Sequence, residues 1–517
     1  MNKVKDMFND DFEELIASHG EILFNLCQFS INDKNHEYIY NRKFLGRLNL
    51  EATWMEETLD AYGSQHNNDW ARFREVIAAQ KMFTSVCYDL LHLKHAVPHY
   101  NLISLENDFI SEIEGVLEQL KTALLNISKE VIYCSKKKSL SYGSKELPRS
   151  IFDVKTLEGR LESNNKKARE ISKNDKVLVY LATSFLNLST DVDIIESGNC
   201  VKKKSYSECI PDHISEEKLR VVKASFHNLQ SLYDTYLSKS NMENQNPDLK
   251  TLRGHISTIF HLLNMATQFS HYYERHIIDS RISLLKKPFL PLPVTTHLAI
   301  LIEFFLRNAD RYFTAAKDLC RQIISVYSEK SQIVVSIPKY RGFHVRPSTL
   351  IAKIVIHYGS DVTMELEGKK YDAASPMELF RVNEKLNAEK RRYINNLVCS
   401  EKLLKDLDDS NKEIWKQKAQ LVILHLMDKD QIVLYEQNLS MDGNDPQEGE
   451  TPEVFFKRII ALFLASGKID IQREFTVKFL GDKRVLLDLR ILAEKGYGED
   501  KFGNNIMLPP ELSYLRR

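Results

Sequence analysis

Apolar residues recur every three to four positions through most of residues 1–328, the spacing that gives a helix one buried face. FREVIAAQKMFTSVCYDLLHL (73–93) and HLAILIEFFLRNADRYFTAAKDLCRQIISVY (297–327) are the clearest stretches. Polar breaks at 136–150, 198–213 and 238–250 interrupt the pattern. The spacing predicts eight or nine helices stacked as one or two bundles. No repeat of about 20 to 50 residues is visible, so a solenoid is not expected.

Near Ser331 the rhythm changes. In SQIVVSI, Ile333, Val335 and Ile337 alternate with Val334 and Ser336, which predicts a strand with one buried face. After RGFHVRPST (341–349), Ile351, Ile354, Val355 and Tyr358 fall on one helical face, and Gly359 is placed to end that helix. Val362, Met364 and Leu366 then alternate as a strand, and Glu367-Gly368 turns the chain into KKYDA. A second helix opens at Ser375-Pro376-Met377-Glu378, a capping box with proline in the first helical position. A charged stretch, 387–428, predicts two more helices carrying Leu403, Leu404, Leu407, Ile414, Trp415 and Leu421 as a hairpin that packs on another domain or a partner. QIVLYE (431–436) reads as strand and 451–467 as a helix capped by Thr451 and ended by Gly467. Without the charged stretch the order is β-α-β-β-α-β-α, with helices on one side of a small antiparallel sheet. The expected division is therefore an all-α region over 1–328, an α+β domain over 329–470 with a helical insertion, and a β/loop extension over 471–517 whose KGYGEDKFGNN run reads as a flexible loop.

Composition narrows the function classes. Lys+Arg and Asp+Glu both count 71, so no net field draws the chain to nucleic acid or an anionic membrane. The lysine runs at 136–138 and 202–204 read as solvated loop charge. The 7 cysteines never form CxxC, which points to reduced thiols rather than a zinc site or a disulfide framework. The N-terminus is too acidic for a signal peptide, and the apolar run 298–306 is too short to span a bilayer. A cytoplasmic protein is the expectation. His92 with His95, and His271 with Glu274 and His276, sit at helical spacing but lack an E-x-x-H partner, so no metal and no cofactor are expected.

The chemistry concentrates at RGFHVRPST. A helix N-terminus leaves N–H groups unpaired and carries partial positive charge, which suits a phosphate. His344 sits at that end, Val345 and Arg346 offer N–H groups, and Pro347 has none to lose. Arg346 adds a guanidinium able to grip two phosphoryl oxygens. Imidazole attacks phosphorus without a separate base. A helix cap beside a surface arginine is the competing reading of the same residues.

Residues 331–386 resemble HPr, the histidine-containing phosphocarrier of the bacterial phosphoenolpyruvate-dependent sugar phosphotransferase system. The resemblance rests on Gly342-Phe343-His344-Val345-Arg346-Pro347-Ser348-Thr349, on the interval from His344 to Ser375, and on the element order. It implies an open-faced β-sandwich and phosphorylation of His344 at Nδ1 by an enzyme I-like donor. Arg346 and the amides of Val345 and Arg346 would hold the phosphoryl group. It also implies an enzyme IIA-like acceptor, a kinase acting on Ser375, and docking through Met377 and Phe380. The chain departs from the family at Phe343, Pro376 and Glu378 and in the insertion, which fits a specialised or regulatory relative with a helical region for oligomerisation or partner binding. A non-catalytic scaffold that keeps only the fold is the rival.

Overall fold

The structure, a computed structural model, describes residues 9–516 apart from 34–36, 106–107, 144, 146, 154–173, 192–209, 211–213, 239–241, 279–287, 401–402, 405–411, 436–440 and 442. The lysine run 202–204, Cys200, Cys209 and Leu407 lie outside the described residues. The chain is mostly helical with a small antiparallel sheet, and it divides at Cys320/Arg321 into two units. No described helix is long and apolar enough to cross a membrane.

In the first unit the long helices are α1 (Asn9–Asn32), α2 (Arg42–Ala61), α3 (Ala71–Ala96), α4 (Phe109–Lys137), α5 (Asn174–Asp191) and α6 (Glu216–Tyr236). The short α7 (Met242–Gln245) precedes α8 (Asp248–Tyr272), and α9 (Val294–Ala299) precedes α10 (Arg307–Tyr327). Side chains of Asn41, Asp108 and Ser215 cap α2, α4 and α6. Phe24, Phe44, Phe73, Phe83, Phe269 and Phe305 fill the interior. Two segments wind as π-helix, Tyr273–Ile278 after α8 and Ile300–Leu306 between α9 and α10. In the second, the wider turn buries Ile300, Leu301 and Ile302 in succession, followed by Phe304, Phe305 and Leu306. The apolar run that could not span a bilayer is thus a core segment.

The second unit is built on a four-stranded sheet. Its strands are β1 (Lys330–Ser336), β2 (Val362–Leu366), β3 (Lys369–Asp372) and, late in the chain, Thr476–Asp482. The spatial order puts Thr476–Asp482 between β1 and β2, with β3 at the edge, all antiparallel. Ile333, Phe479, Met364 and Tyr371 stand opposite one another and form one buried row across the sheet. Packed on that row are α11 (Val345–Tyr358), the first half of α12 (Pro376–Ser400), and the helix Lys483–Glu494.

The pattern predicts the closing strand and helix within 430–467, and the structure takes them from further along the chain. After α12 come α13 (Lys412–Asp428), β4 (Ile432–Leu434), α14 (Pro452–Ala465) and β5 (Ile469–Ile471), and β4 pairs only with β5. A three-residue strand cannot match the seven residues of β1, whereas Thr476–Asp482 (β6) pairs with it from Lys330↔Asp482 to Ser336↔Thr476. The helix Lys483–Glu494 (α15) then caps the core. The closing pair therefore comes from the segment read as an extension.

The second half of α12 and the residues from there to β5 form a lobe with a core of their own, including Ile394, Trp415, Ile423, Phe455 and Ile469. Trp415 is buried there, and Leu403 and Leu404 pack against it, while Ile414 and Leu421 are exposed. The predicted hairpin thus packs inside its own lobe. Helix α12 threads both cores, burying Leu379, Val382 and Leu386 in the first and Ile394 and Val398 in the second. Between them Lys390 Nζ meets Asp470 Oδ1 at 2.7 Å, with both side chains buried. Removing one member strands a buried charge, so Lys390→Ala should destabilise this unit by about 3–5 kcal/mol in urea denaturation, and Lys390→Met/Asp470→Leu should recover most of the loss.

Candidate functional site

The loop before α11 is shaped by two consecutive left-handed residues, Arg341 (φ 52°) and Gly342 (φ 62°). Glycine is required at 342 on two counts: the backbone conformation, and a Cβ there would lie 2.2 Å from Asn383 Oδ1. Asn383, from α12, accepts from Phe343 N at 3.0 Å and donates through Nδ2 to Arg341 O at 3.0 Å. The amide thus stands in for a strand partner and turns the chain into the helix. Phe343 is fully buried against Tyr497.

His344 follows as the N-cap residue of α11, with extended backbone and no side-chain cap bond. Its carbonyl accepts from Ser348 N, while the Ser348 hydroxyl donates to Phe343 O at 3.0 Å. Val345 and Arg346 open the helix, so neither amide has an intrahelical acceptor. Val345 is 67% exposed, which leaves this end accessible.

The imidazole is held on both sides. Nδ1 lies 3.1 Å from Gly342 O, and Nε2 lies 3.3 Å from Glu499 Oε1 and 3.1 Å from Oε2. The ring is partly exposed, and Tyr340 meets it edge to face at 5.4 Å. Glu499 is buried, and its Oε1 sits 3.8 Å from Arg346 Nε. Neither Arg346 Nε nor Glu499 Oε2 makes a hydrogen bond, so a guanidinium N–H beside the histidine still needs an acceptor. Three groups from two distant parts of the chain, an imidazole, a guanidinium and a carboxylate, form one cluster.

Glu499 was not found from sequence. It lies 155 residues beyond His344 in the run read as flexible. That run is a tight turn in the structure: Asp500 Oδ1 accepts from Phe502 N at 2.8 Å and Asn504 N at 2.9 Å, and Glu499 bridges Asn505. Just before it, Tyr497 is buried and its hydroxyl donates to Ser336 O at 2.7 Å, which anchors the turn to β1. The Asp500–Asn504 spacing was the available signal for order, but nothing in the sequence tied it to His344.

From Val345 and Arg346 an open cleft of about 770 Å³ runs along α11 to the C-terminal segment. Arg346, Lys353 and Arg516 line it without an acidic residue, beside Ile506 and the exposed Met507. On the lobe side, Arg341 Nη2 donates to Gly467 O at 3.0 Å and Ser466 O at 3.3 Å, and Tyr340 packs on Tyr435. The inserted lobe therefore braces the histidine loop.

Ser375 begins α12, as its capping box implies. Its Oγ accepts from Glu378 N at 3.4 Å, but Glu378 pairs with Arg381 instead of reaching back, so half the box forms. Met377 is 65% exposed and Phe380 half-buried. Around the paired histidines of the first unit, no group of three potential metal ligands occurs among the described residues. His92 meets the His261 ring, His271 Nδ1 faces Glu216 at 2.9 Å, and Glu274 accepts from Glu216 N.

No protein family, curated protein or solved structure matches the chain.

Asn383→Ala would leave two backbone groups of the histidine loop without partners. Amide exchange at Phe343 should quicken, and stability should fall by about 1–3 kcal/mol, while Asn383→Asp should retain the bond from Phe343 N.

Proposed function

We propose that residues 330–516 act as an HPr-like phosphocarrier or regulatory module that accepts a phosphoryl group on His344. The single observation that carries this reading is the His344–Glu499–Arg346 cluster at the open N-terminus of α11. Support also comes from the β-α-β-β-α order continued by β6 and α15, with every helix of the core on one face of the sheet.

The chemistry follows from the contacts. With the Nε2 proton donated to Glu499, the lone pair resides on Nδ1. A small ring rotation takes Nδ1 off Gly342 O. Nδ1 then attacks phosphorus, the P–N bond to the donor's phosphohistidine breaks and its electron pair returns to the donor imidazole, and the proton stays on Nε2 of His344, hydrogen-bonded to Glu499. Arg346 and the amides of Val345 and Arg346 receive the phosphoryl oxygens. The donor is an enzyme I-like protein charged by phosphoenolpyruvate, and the recipient an enzyme IIA-like acceptor or a protein that senses the added charge. Acidic partner surfaces suit the cleft of Arg346, Lys353 and Arg516. Phosphate at Ser375 would sit at the N-terminus of α12, a favourable place for it, with Met377 and Phe380 as apolar docking points for an HPr kinase.

A second reading, a scaffold that binds partners without phosphoryl transfer, is favoured by one feature: Glu499 already balances Arg346, and both ring nitrogens face oxygen atoms. Incubation with phosphoenolpyruvate and enzyme I separates the two. The expected result is an acid-labile label absent from His344→Ala, with labelling slowed roughly 10–100-fold in Glu499→Gln. Label that persists in His344→Ala overturns the carrier reading. No label in the wild type, with partners captured equally by wild type and His344→Ala, selects the scaffold.

A further inference from the structure

In the helical unit, four helices turn polar faces toward one another. Asn49, Thr53 and Glu56 lie along one side of α2, and Ala78, Lys81, Met82 and Ser85 along one side of α3. Glu216, Arg220 and Lys223 do so on α6, and Gln268, His271 and Tyr272 on α8. Spacings of three and four residues make each set a single helical face. Between these faces is a cleft of about 380 Å³. Glu56 and Glu216 are buried on these faces, while Lys81, Arg220 and His271 reach out to solvent at the rim, so the desolvation cost falls on the two carboxylates. Ligand sites of bundles are built in this way, from side chains on facing helices.

Every lysine and arginine of the lining but one is paired with a carboxylate. Glu56, which is buried, pairs with Lys81 and at 3.3 Å with Arg74. Glu216, also buried, pairs with Arg220 and faces His271 Nδ1 at 2.9 Å. Lys223 differs: its Nζ donates to the neutral Asn264 Oδ1 at 3.3 Å, and among the described residues it has no ion pair. Asn264 in turn donates to Asp89 Oδ2 at 2.8 Å, so the amide is fixed as a spacer. Burial above all, and then the nearby Arg220, hold the Lys223 ammonium below its ordinary pKa, although Asp89 and Glu216 act in the opposite direction. Lys223 is thus the one lysine or arginine of the lining with no carboxylate in direct contact, Asp89 standing behind the Asn264 amide. Neutral donors from Asn49, Ser85 and Gln268 surround it, and Met82 and Tyr272 supply apolar surface.

The π-turn Tyr273–Ile278 ends one wall, and such turns are frequent at functional sites. It places His276 on the cleft, stacked on Tyr272 at 5.0 Å with an interplanar angle of 21°. Burial pushes His276 down to about 3, so it lines the cleft as a neutral ring and adds no charge.

We propose that this cleft binds a small organic monocarboxylate, whose carboxylate pairs with Lys223 beside Arg220 and whose apolar part rests on Met82 and Tyr272. The ligand's carboxylate would give Lys223 the direct anionic partner it lacks, and the volume admits roughly a dozen non-hydrogen atoms at about 30 Å³ for each water-sized group. The site is independent of any phosphoryl transfer at His344.

The test uses the full chain and isothermal titration with butyrate, benzoate and phenylacetate, each beside its neutral amide and beside inorganic phosphate. At least one carboxylate should bind saturably and raise Tm, with its amide about tenfold weaker or worse. Lys223→Gln should weaken that binding by at least about tenfold with unchanged circular dichroism, and Lys223→Arg should restore much of it. Three results each overturn the assignment: no binding by any carboxylate, equal binding to Lys223→Gln, or tighter binding of phosphate than of every carboxylate.

Discussion

The side-chain amide of Asn383 carries the geometry of the histidine site. Its two hydrogen bonds hold Arg341 and Phe343 on either side of a left-handed glycine, and a bent loop of this kind has no strand or helix partner for those groups. With the bend held, His344 falls at the N-cap of α11 and the next two amides have no intrahelical acceptor. Asn383 belongs to α12, which also buries Leu379, Val382 and Leu386 in the sheet core. Packing of that core therefore sets the position of the imidazole.

The inserted lobe extends this coupling. A lobe with its own apolar core need not disturb the sheet, because the chain leaves along α12 and returns into β6. Yet it is joined to the site by Arg341, which satisfies two carbonyls at the C-terminal end of α14, and by Tyr340 packed on Tyr435. The buried Lys390–Asp470 pair fixes where the two cores meet, since an ion pair without water tolerates little displacement. A partner that shifts the lobe would therefore shift the loop bearing His344.

The histidine cluster carries its own carboxylate beside the arginine. Glu499 faces His344 Nε2 and approaches Arg346, and it is itself held by a turn anchored through Tyr497. A phosphoryl group would add about −1.5 to −2 charge beside that carboxylate. The arrangement favours transfer only if the carboxylate's service to the ring proton outweighs repulsion of the incoming group. Distance works for transfer, because Glu499 faces Nε2 while Nδ1 is on the other side of the ring.

Local pattern alone determined the helices of the first half, the strand–helix–hairpin after Ser331, the caps at Ser375 and Thr451, and the place of His344 at a helix start. Each depends on residues within a few positions of one another, so periodicity and turn chemistry expose it. Which strand closes the sheet was decided by pairing across the fold: 431–436 reads as the closing strand and 471–517 as an extension, but only Thr476–Asp482 spans β1. Asn383 and Glu499 were equally hidden, since neither is near His344 in the chain and neither sits in a motif. Short-range sterics and hydrophobic spacing write themselves into sequence, whereas a carboxylate meeting an imidazole 155 residues away exists only once the core has folded.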